Sequence, residues 1–167
     1  MNPHSRRRRR SRLLEKPRLT SSLDSQIGLR LTRVGDYAAW MMAEALDPLA
    51  LGIREFMVLS MVNDAGPISQ AATGDRLLLN RTAVSRIAQD LEERALLTRS
   101  EGAWDRRRVA LKTTPKGRQL TIRGRVAVAE AEEAMLHLFH DWERLDLAKI
   151  LNLVEPPPPH RLAFALA

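Results

Sequence analysis

The side chains that stand out in this sequence donate hydrogen bonds and positive charge; they are not nucleophiles. Arg106-Arg107-Arg108 follow Gly102-Ala103-Trp104-Asp105 in a short polar segment, and Thr82, Ser85, Arg86 and Gln89 follow Asn80-Arg81. On a helix the second set shares one face, opposite Val84, Ile87 and Leu91. Hydroxyl, guanidinium and carboxamide groups arranged in this way suit base edges and phosphates in a duplex major groove. The positive end of the helix dipole, near Asn80 and Arg81, suits a nearby phosphate. An arginine-bearing loop suits the negative potential of a narrow minor groove. Asp105 does not suit a phosphate and is expected to pin a neighbouring arginine. Catalysis has no comparable support. With four His, no Cys, no ordered Ser/His/Asp set and no Gly-rich phosphate loop, neither an enzyme nor a cofactor is expected.

Taken singly, Arg81 or Arg86 reads as an ordinary solvated helix arginine, and Arg106 to Arg108 as a charged turn. Their place in the charge distribution reverses that reading. The 167-residue chain has 27 Lys/Arg against 20 Asp/Glu, a formal +7. Residues 1–19 hold eight basic side chains and one acidic; residues 76–125 hold thirteen and five; the stretches 20–75 and 126–167 each hold three and seven. A basic central block between acidic flanks, with a detached cationic arm, is the footprint of a polyanion binder. The absence of cysteine excludes disulfides, thiolate zinc sites and iron–sulfur clusters. No apolar run approaches the about 18 residues of a membrane-spanning helix. No apolar segment follows the arginines as a secretory signal would require, although the Arg- and Ser-rich start also has the composition of an organellar transit peptide. The expected location is the cytoplasm, on the nucleoid.

The elements that must hold these residues are almost all helical. Ile27, Leu31, Val34, Ala38, Met41 and Ala45 form one apolar stripe, ended by Asp47-Pro48. A second helix from about Ile53 turns Ile53, Phe56, Leu59 and Val62 inward and breaks at Asp64-Ala65-Gly66-Pro67. A short third helix spans about Ser69 to Leu78. Asn80 caps a fourth that reaches about Arg94. The period then changes. Leu96–Arg99 and Val109–Lys112 read as strands of a hairpin about Gly102. Thr114 and Pro115 open a long helix whose seam, Gly124, Val128, Ala131, Met135, Leu138 and Trp142, is heptad-like. Over roughly 26 residues it would span about 39 Å, longer than so small a core can cover, and a dimer is therefore expected. A final short helix runs from about Leu145 to Val154. Residues 1–19 are expected to be a disordered basic arm, and residues 156–167 a Pro-rich tail.

This order predicts a mostly α fold: a winged helix-turn-helix lobe over about residues 50–114, inside a domain of residues 20–155 with N- and C-terminal dimerisation helices. Residues of about 27–153 resemble the MarR family of bacterial transcriptional regulators. The resemblance is carried by Leu51-Gly52-Ile53-Arg54-Glu55-Phe56, by Asn80-Arg81-Thr82-Ala83-Val84-Ser85-Arg86-Ile87, and by Leu91-Glu92-Glu93-Arg94-Ala95-Leu96-Leu97. Its most diagnostic part is Asp105-Arg106-Arg107 followed by Thr114-Pro115-Lys116-Gly117-Arg118. The resemblance implies a homodimer that places two recognition helices on a pseudo-palindromic operator, most often as a repressor relieved by a small molecule. Two departures stand out. Ala95 occupies a position where the family commonly has Gly, so a different turn is expected there. Lys112-Thr113 is expected to interrupt the second wing strand.

The residues expected at double-stranded DNA are Asn80, Arg81, Thr82, Ser85, Arg86, Gln89, Arg99, Asp105, Arg106, Arg107 and Arg108. Tyr37, Trp40, Met41, Arg54 and Met57 are the candidate wall of an effector pocket, against the plainer reading of core and interface packing. His137 and His140, with Glu133 and Asp141, have helical spacing compatible with a metal, but solvated side chains are the favoured reading and no metal is expected. A non-specific architectural nucleic-acid binder that uses the arm and wing is the alternative function. A helical interaction protein without DNA binding is a third.

Overall fold

The computed structural model describes residues 26–101 and 109–154. The expected arm at 1–19, the Pro-rich tail at 156–167 and the wing residues Asp105 to Arg108 lie outside the described residues. Helix α1 (Ile27–Leu46) leads through a 3-10 turn (Asp47–Leu49) to α2 (Ile53–Ala65), β1 (Ile68–Ser69), α3 (Gln70–Leu77), α4 (Arg81–Glu93), β2 (Leu97–Glu101), β3 (Val109–Thr113), α5 (Pro115–Leu136) and α6 (Asp141–Val154). The chain divides into two compact units after Tyr37. In the first, the described residues are the leading turns of α1, whose Ile27, Leu31 and Val34 are exposed.

The second unit carries the core. Leu46, Leu51, Val58, Leu59, Val62, Ile68, Ile87, Ala88, Leu91, Leu96, Leu97 and Leu111 form one buried cluster, with Ile53 and Phe56 packed partly buried against it. The inward face expected of the second helix is therefore observed. The three strands are antiparallel in the order β1-β3-β2, with Ile68 opposite Leu111 and Leu97 opposite Thr113. The sequence reading missed β1. Two residues are too short to show a period, and only pairing with β3 makes Ile68-Ser69 a strand. The expected interruption at Lys112-Thr113 is absent, because β3 runs through both, with Lys112 facing solvent opposite Thr98.

The turn at Ala95 also differs from expectation. Its backbone is left-handed (φ +56°) although the residue is not glycine. The N–H of Ala95 bonds the carbonyl of Glu92 at 2.8 Å, and that of Leu96 bonds the carbonyl of Leu91 at 2.8 Å. This is the paired closure of a Schellman turn, with Leu91 and Leu96 buried in the apolar contact that accompanies it. Holding an L residue there costs roughly 1–2 kcal/mol, which the closure and the burial offset. Leu78, before α4, is left-handed as well (φ +54°).

Helix α5 lies flush against this turn. Thr114 Oγ1 accepts from the Gly117 N–H at 3.0 Å and donates to the Ala95 carbonyl at 2.8 Å. A Cβ on Gly117 would stand 2.0 Å from the Leu96 carbonyl oxygen, and one on Gly124 would stand 2.8 Å from the Phe56 ring. The expected seam is thus partly wrong. Gly124 and Ala131 are buried, and Val128 packs against the core, so the chain itself covers that stretch. The helix also stops at Leu136, after 22 residues and about 33 Å, and does not run on through Trp142. Leu138 and Trp142 follow the break, exposed, and α6 starts at Asp141 with no buried residue.

The break is held by Arg144. Its guanidinium forks onto both Glu133 oxygens and donates to the Leu136 carbonyl at 3.0 Å and the Phe139 carbonyl at 3.3 Å. Hydrogen bonding from Arg144 holds the Glu133 carboxyl below the ordinary carboxylate range. His140, at the start of α6, accepts from the Glu143 and Arg144 N–H groups through its carbonyl, while its own N–H donates to Glu143 Oε2 at 2.8 Å. His137 Nδ1 lies 2.9 Å from the Ala134 carbonyl. No helix among the described residues is long and apolar enough to cross a membrane.

Two predictions follow from this packing. Gly117→Ala should lower stability by roughly 2–3 kcal/mol, seen as a fall in Tm of roughly 5–10 °C; an unchanged melt would mean that α5 does not lie against Leu96. Because Glu133 titrates lower when folded than when unfolded, its tether is intact above the unfolded pKa and is lost as pH falls through the folded one. An acid titration of Trp142 fluorescence, with Trp40 and Trp104 replaced by Phe, should show that loss in the parent and not in Glu133→Gln.

Candidate nucleic-acid interface

The groove-facing candidates depend on where α4 begins and what lies behind it. Asn80 is extended (φ −70°, ψ 158°), and its Oδ1 accepts from the Ala83 N–H at 2.8 Å, which fixes the first turn. Val84, Ile87, Ala88 and Leu91 are buried. Arg81, Thr82, Arg86 and Gln89 are exposed and Ser85 is half-buried, and these five line one open depression. The expected face is therefore gathered on one surface. Ser69 caps α3 through the Ala72 N–H at 3.1 Å, and buried Thr73 donates to the Ser69 carbonyl at 3.0 Å. A Cβ on Gly74 would stand 2.8 Å from the Leu79 carbonyl oxygen. Only glycine lets the turn between α3 and α4 close this tightly.

The far end of α4 is anchored by a residue that the sequence reading did not assign. Arg94 donates to Glu55 Oε2 at 3.1 Å and to the Ala50 carbonyl at 2.6 Å. Glu55 also accepts the Gly52 N–H at 2.9 Å, and Lys116 Nζ donates to the Arg94 carbonyl at 2.9 Å. One arginine thereby joins the end of α4 to the starts of α2 and α5. The available signal was Glu55 three residues after Gly52, the spacing of a helix-start box.

Arg99 lies on β2, off the α4 face. Its backbone N–H and its Nε both donate to the Glu92 carboxylate. Of the proposed effector residues, Tyr37 falls in the first unit. In the second, Trp40 and Met41 lie on α1, and exposed Arg54 and Met57 lie one turn apart on α2. Among the described residues, no His, Asp and Glu set gathers three candidate metal ligands.

A helix-turn-helix followed by a small antiparallel sheet, with a basic polar face on its second helix, defines a winged helix-turn-helix DNA-binding protein. Residues 51–108 of the chain match the model of the MarR family. The chain is 26% identical over 113 residues to an HTH-type transcriptional repressor from Mycobacterium tuberculosis, which covers 68% of this chain and 81% of the relative. Its fold is similar to that of CouR from Rhodococcus jostii RHA1 bound to p-coumaroyl-CoA (TM-score 0.73, 23% identity, 82% of this chain and 97% of that one). A mutant MarR from E. coli complexed with operator DNA is alike to the same degree (TM-score 0.73, 21% identity, 78% and 94%).

Replacing Arg94 with Ala should cost roughly 2 kcal/mol, given charged hydrogen bonds worth about 1.5–3 kcal/mol, and Glu55→Ala in that background should add only the loss of its Gly52 N–H bond, about 1 kcal/mol. Additive losses in urea melts would show that the two side chains act separately.

Proposed function

We propose that the chain is a sequence-specific repressor that works as a homodimer on a pseudo-palindromic operator and is released by a small molecule. The observation that carries this reading is the exposed row of Arg81, Thr82, Ser85, Arg86 and Gln89 on a helix anchored at both ends. Such a row can enter a major groove while its buried side stays fixed to the core. Arg106 to Arg108 then belong to the adjacent minor groove, and the 1–19 arm to phosphates along the flanks.

Dimerisation is supported by apolar surface that one copy leaves open. Ile27 is 73% exposed in the first unit, and Leu153 is 85% exposed on α6. Exposed apolar faces of this kind mark association surfaces. Two copies would present two reading helices about one duplex turn, roughly 34 Å, apart. The effector reading draws on similar proteins: CouR is bound to p-coumaroyl-CoA, and Bordetella bronchiseptica BpsR is regulated in its DNA binding by 6-hydroxynicotinic acid. On the second unit of this chain Trp40, Met41, Arg54 and Met57 are the proposed contacts. The proposed site of action is the cytoplasm, on the nucleoid, with no catalytic role.

Selection of duplexes from a random pool should yield an inverted repeat. Arg86→Ala should weaken binding to that duplex roughly 5- to 100-fold, the range of one base contact worth about 1–3 kcal/mol, with a much smaller loss on random DNA. Deleting residues 2–12 should weaken both duplexes alike and lower the salt dependence. Equal losses for Arg86→Ala on both duplexes would favour a non-specific architectural binder. Sedimentation as a monomer at concentrations on the order of 1 μM, where a stable complex worth about 8 kcal/mol is half formed, would rule out the dimer.

A further inference from the structure

Glu92 occupies an unexpected place. It lies one turn beyond Gln89 on the row that meets the groove, where a carboxylate is repelled by phosphates. Its carboxylate grips a single residue at two points: Oε1 accepts the Arg99 backbone N–H at 3.2 Å, and Oε2 accepts Arg99 Nε. Neither Nη of Arg99 is bonded to a described residue, and the side chain is 31% exposed. On β2, Arg99 shares the strand face of buried Leu97 and leans back toward α4, where the wing departs from the helix. Neighbouring Glu93 is engaged elsewhere, accepting from Gln89 Nε2 at 3.0 Å.

We propose that Glu92 is a positioning residue that holds Arg99 with its two terminal amino groups outward, as a preset fork for a backbone phosphate between the groove-facing helix and the wing. The inference rests on the DNA-binding reading above and deepens it. A guanidinium has five donors in a rigid plane, and a phosphate takes two of them side by side. Fixing Nε and the backbone, with neither Nη engaged by a described residue, presents the Nη pair for that contact and removes the cost of ordering a long side chain on binding.

The sign of one substitution separates positioning from simple charge. Glu92→Gln removes a negative charge from the DNA-facing side, so charge alone would tighten binding. Positioning requires that it weaken binding several-fold. The probes are the inverted-repeat duplex selected by the parent protein and a random duplex of equal length. Arg99→Ala should weaken both alike, roughly tenfold for a lost charged contact, and reduce the salt slope by about one. In the Arg99→Ala background, Glu92→Gln should no longer weaken binding. Glu93→Gln, which removes an equal charge without touching Arg99, should not weaken it either. Any loss of fold common to Glu92→Gln and Arg99→Ala appears in Tm, but only Arg99→Ala should flatten the salt slope. Tighter binding by Glu92→Gln, or an unchanged slope for Arg99→Ala, would overturn the proposal and leave the regulator reading standing. A parent protein that selects no sequence would overturn both.

Discussion

The corner after the reading helix governs the geometry of the whole lobe. Between Leu91 and Leu97 the chain must leave a helix, reverse, and enter a strand, and the first turn of α5 presses on the same carbonyls. Thr114, Lys116 and Gly117, at the cap and first turn of α5, act on the backbone of residues 94 to 96, and the Arg94 side chain ties the same corner to Glu55 and the Ala50 carbonyl. The angle between α4 and β2 is therefore set by contacts with the starts of α2 and α5. A fixed angle matters because base edges and flanking phosphates must be met together.

Much of this was legible in the sequence, for identifiable reasons. Helix α4 has a cap, a strong apolar stripe and a polar opposite face, so its limits and its exposed row could be written down in advance. The hairpin strands carried a change of period. Other features depend on contacts between distant segments and leave no local signature. Strand β1 exists only because Leu111 lies beside Ile68. The Arg94–Glu55 pair spans 39 positions. The long apolar seam of α5 looked too extended for its own domain, but small residues at Gly117 and Gly124 let the helix sink onto the turn and the Phe56 ring. Spacing shows which residues share a stripe; it does not show whether the chain or a partner covers it.

The acidic side chains show the same division between local and distant information. Asp64, Glu55, Glu92 and Glu133 could all pass for solvent decoration in a basic protein. Each instead receives an arginine from another element: Arg125, Arg94, Arg99 and Arg144 respectively. The pairs are partly solvated, so each contributes modestly to stability. Their larger effect is on orientation, since a forked cation fixes the direction of the segment that carries it.

Leu78 and Ala95 give the recognition helix a particular mechanical setting. It is suspended between two corners whose backbones are wound against the preference of their own side chains. Neither corner can relax without shifting the helix end next to it. Local strain and placement of the exposed row of α4 are therefore a single variable, and relaxing either corner would tilt that row against the core behind it.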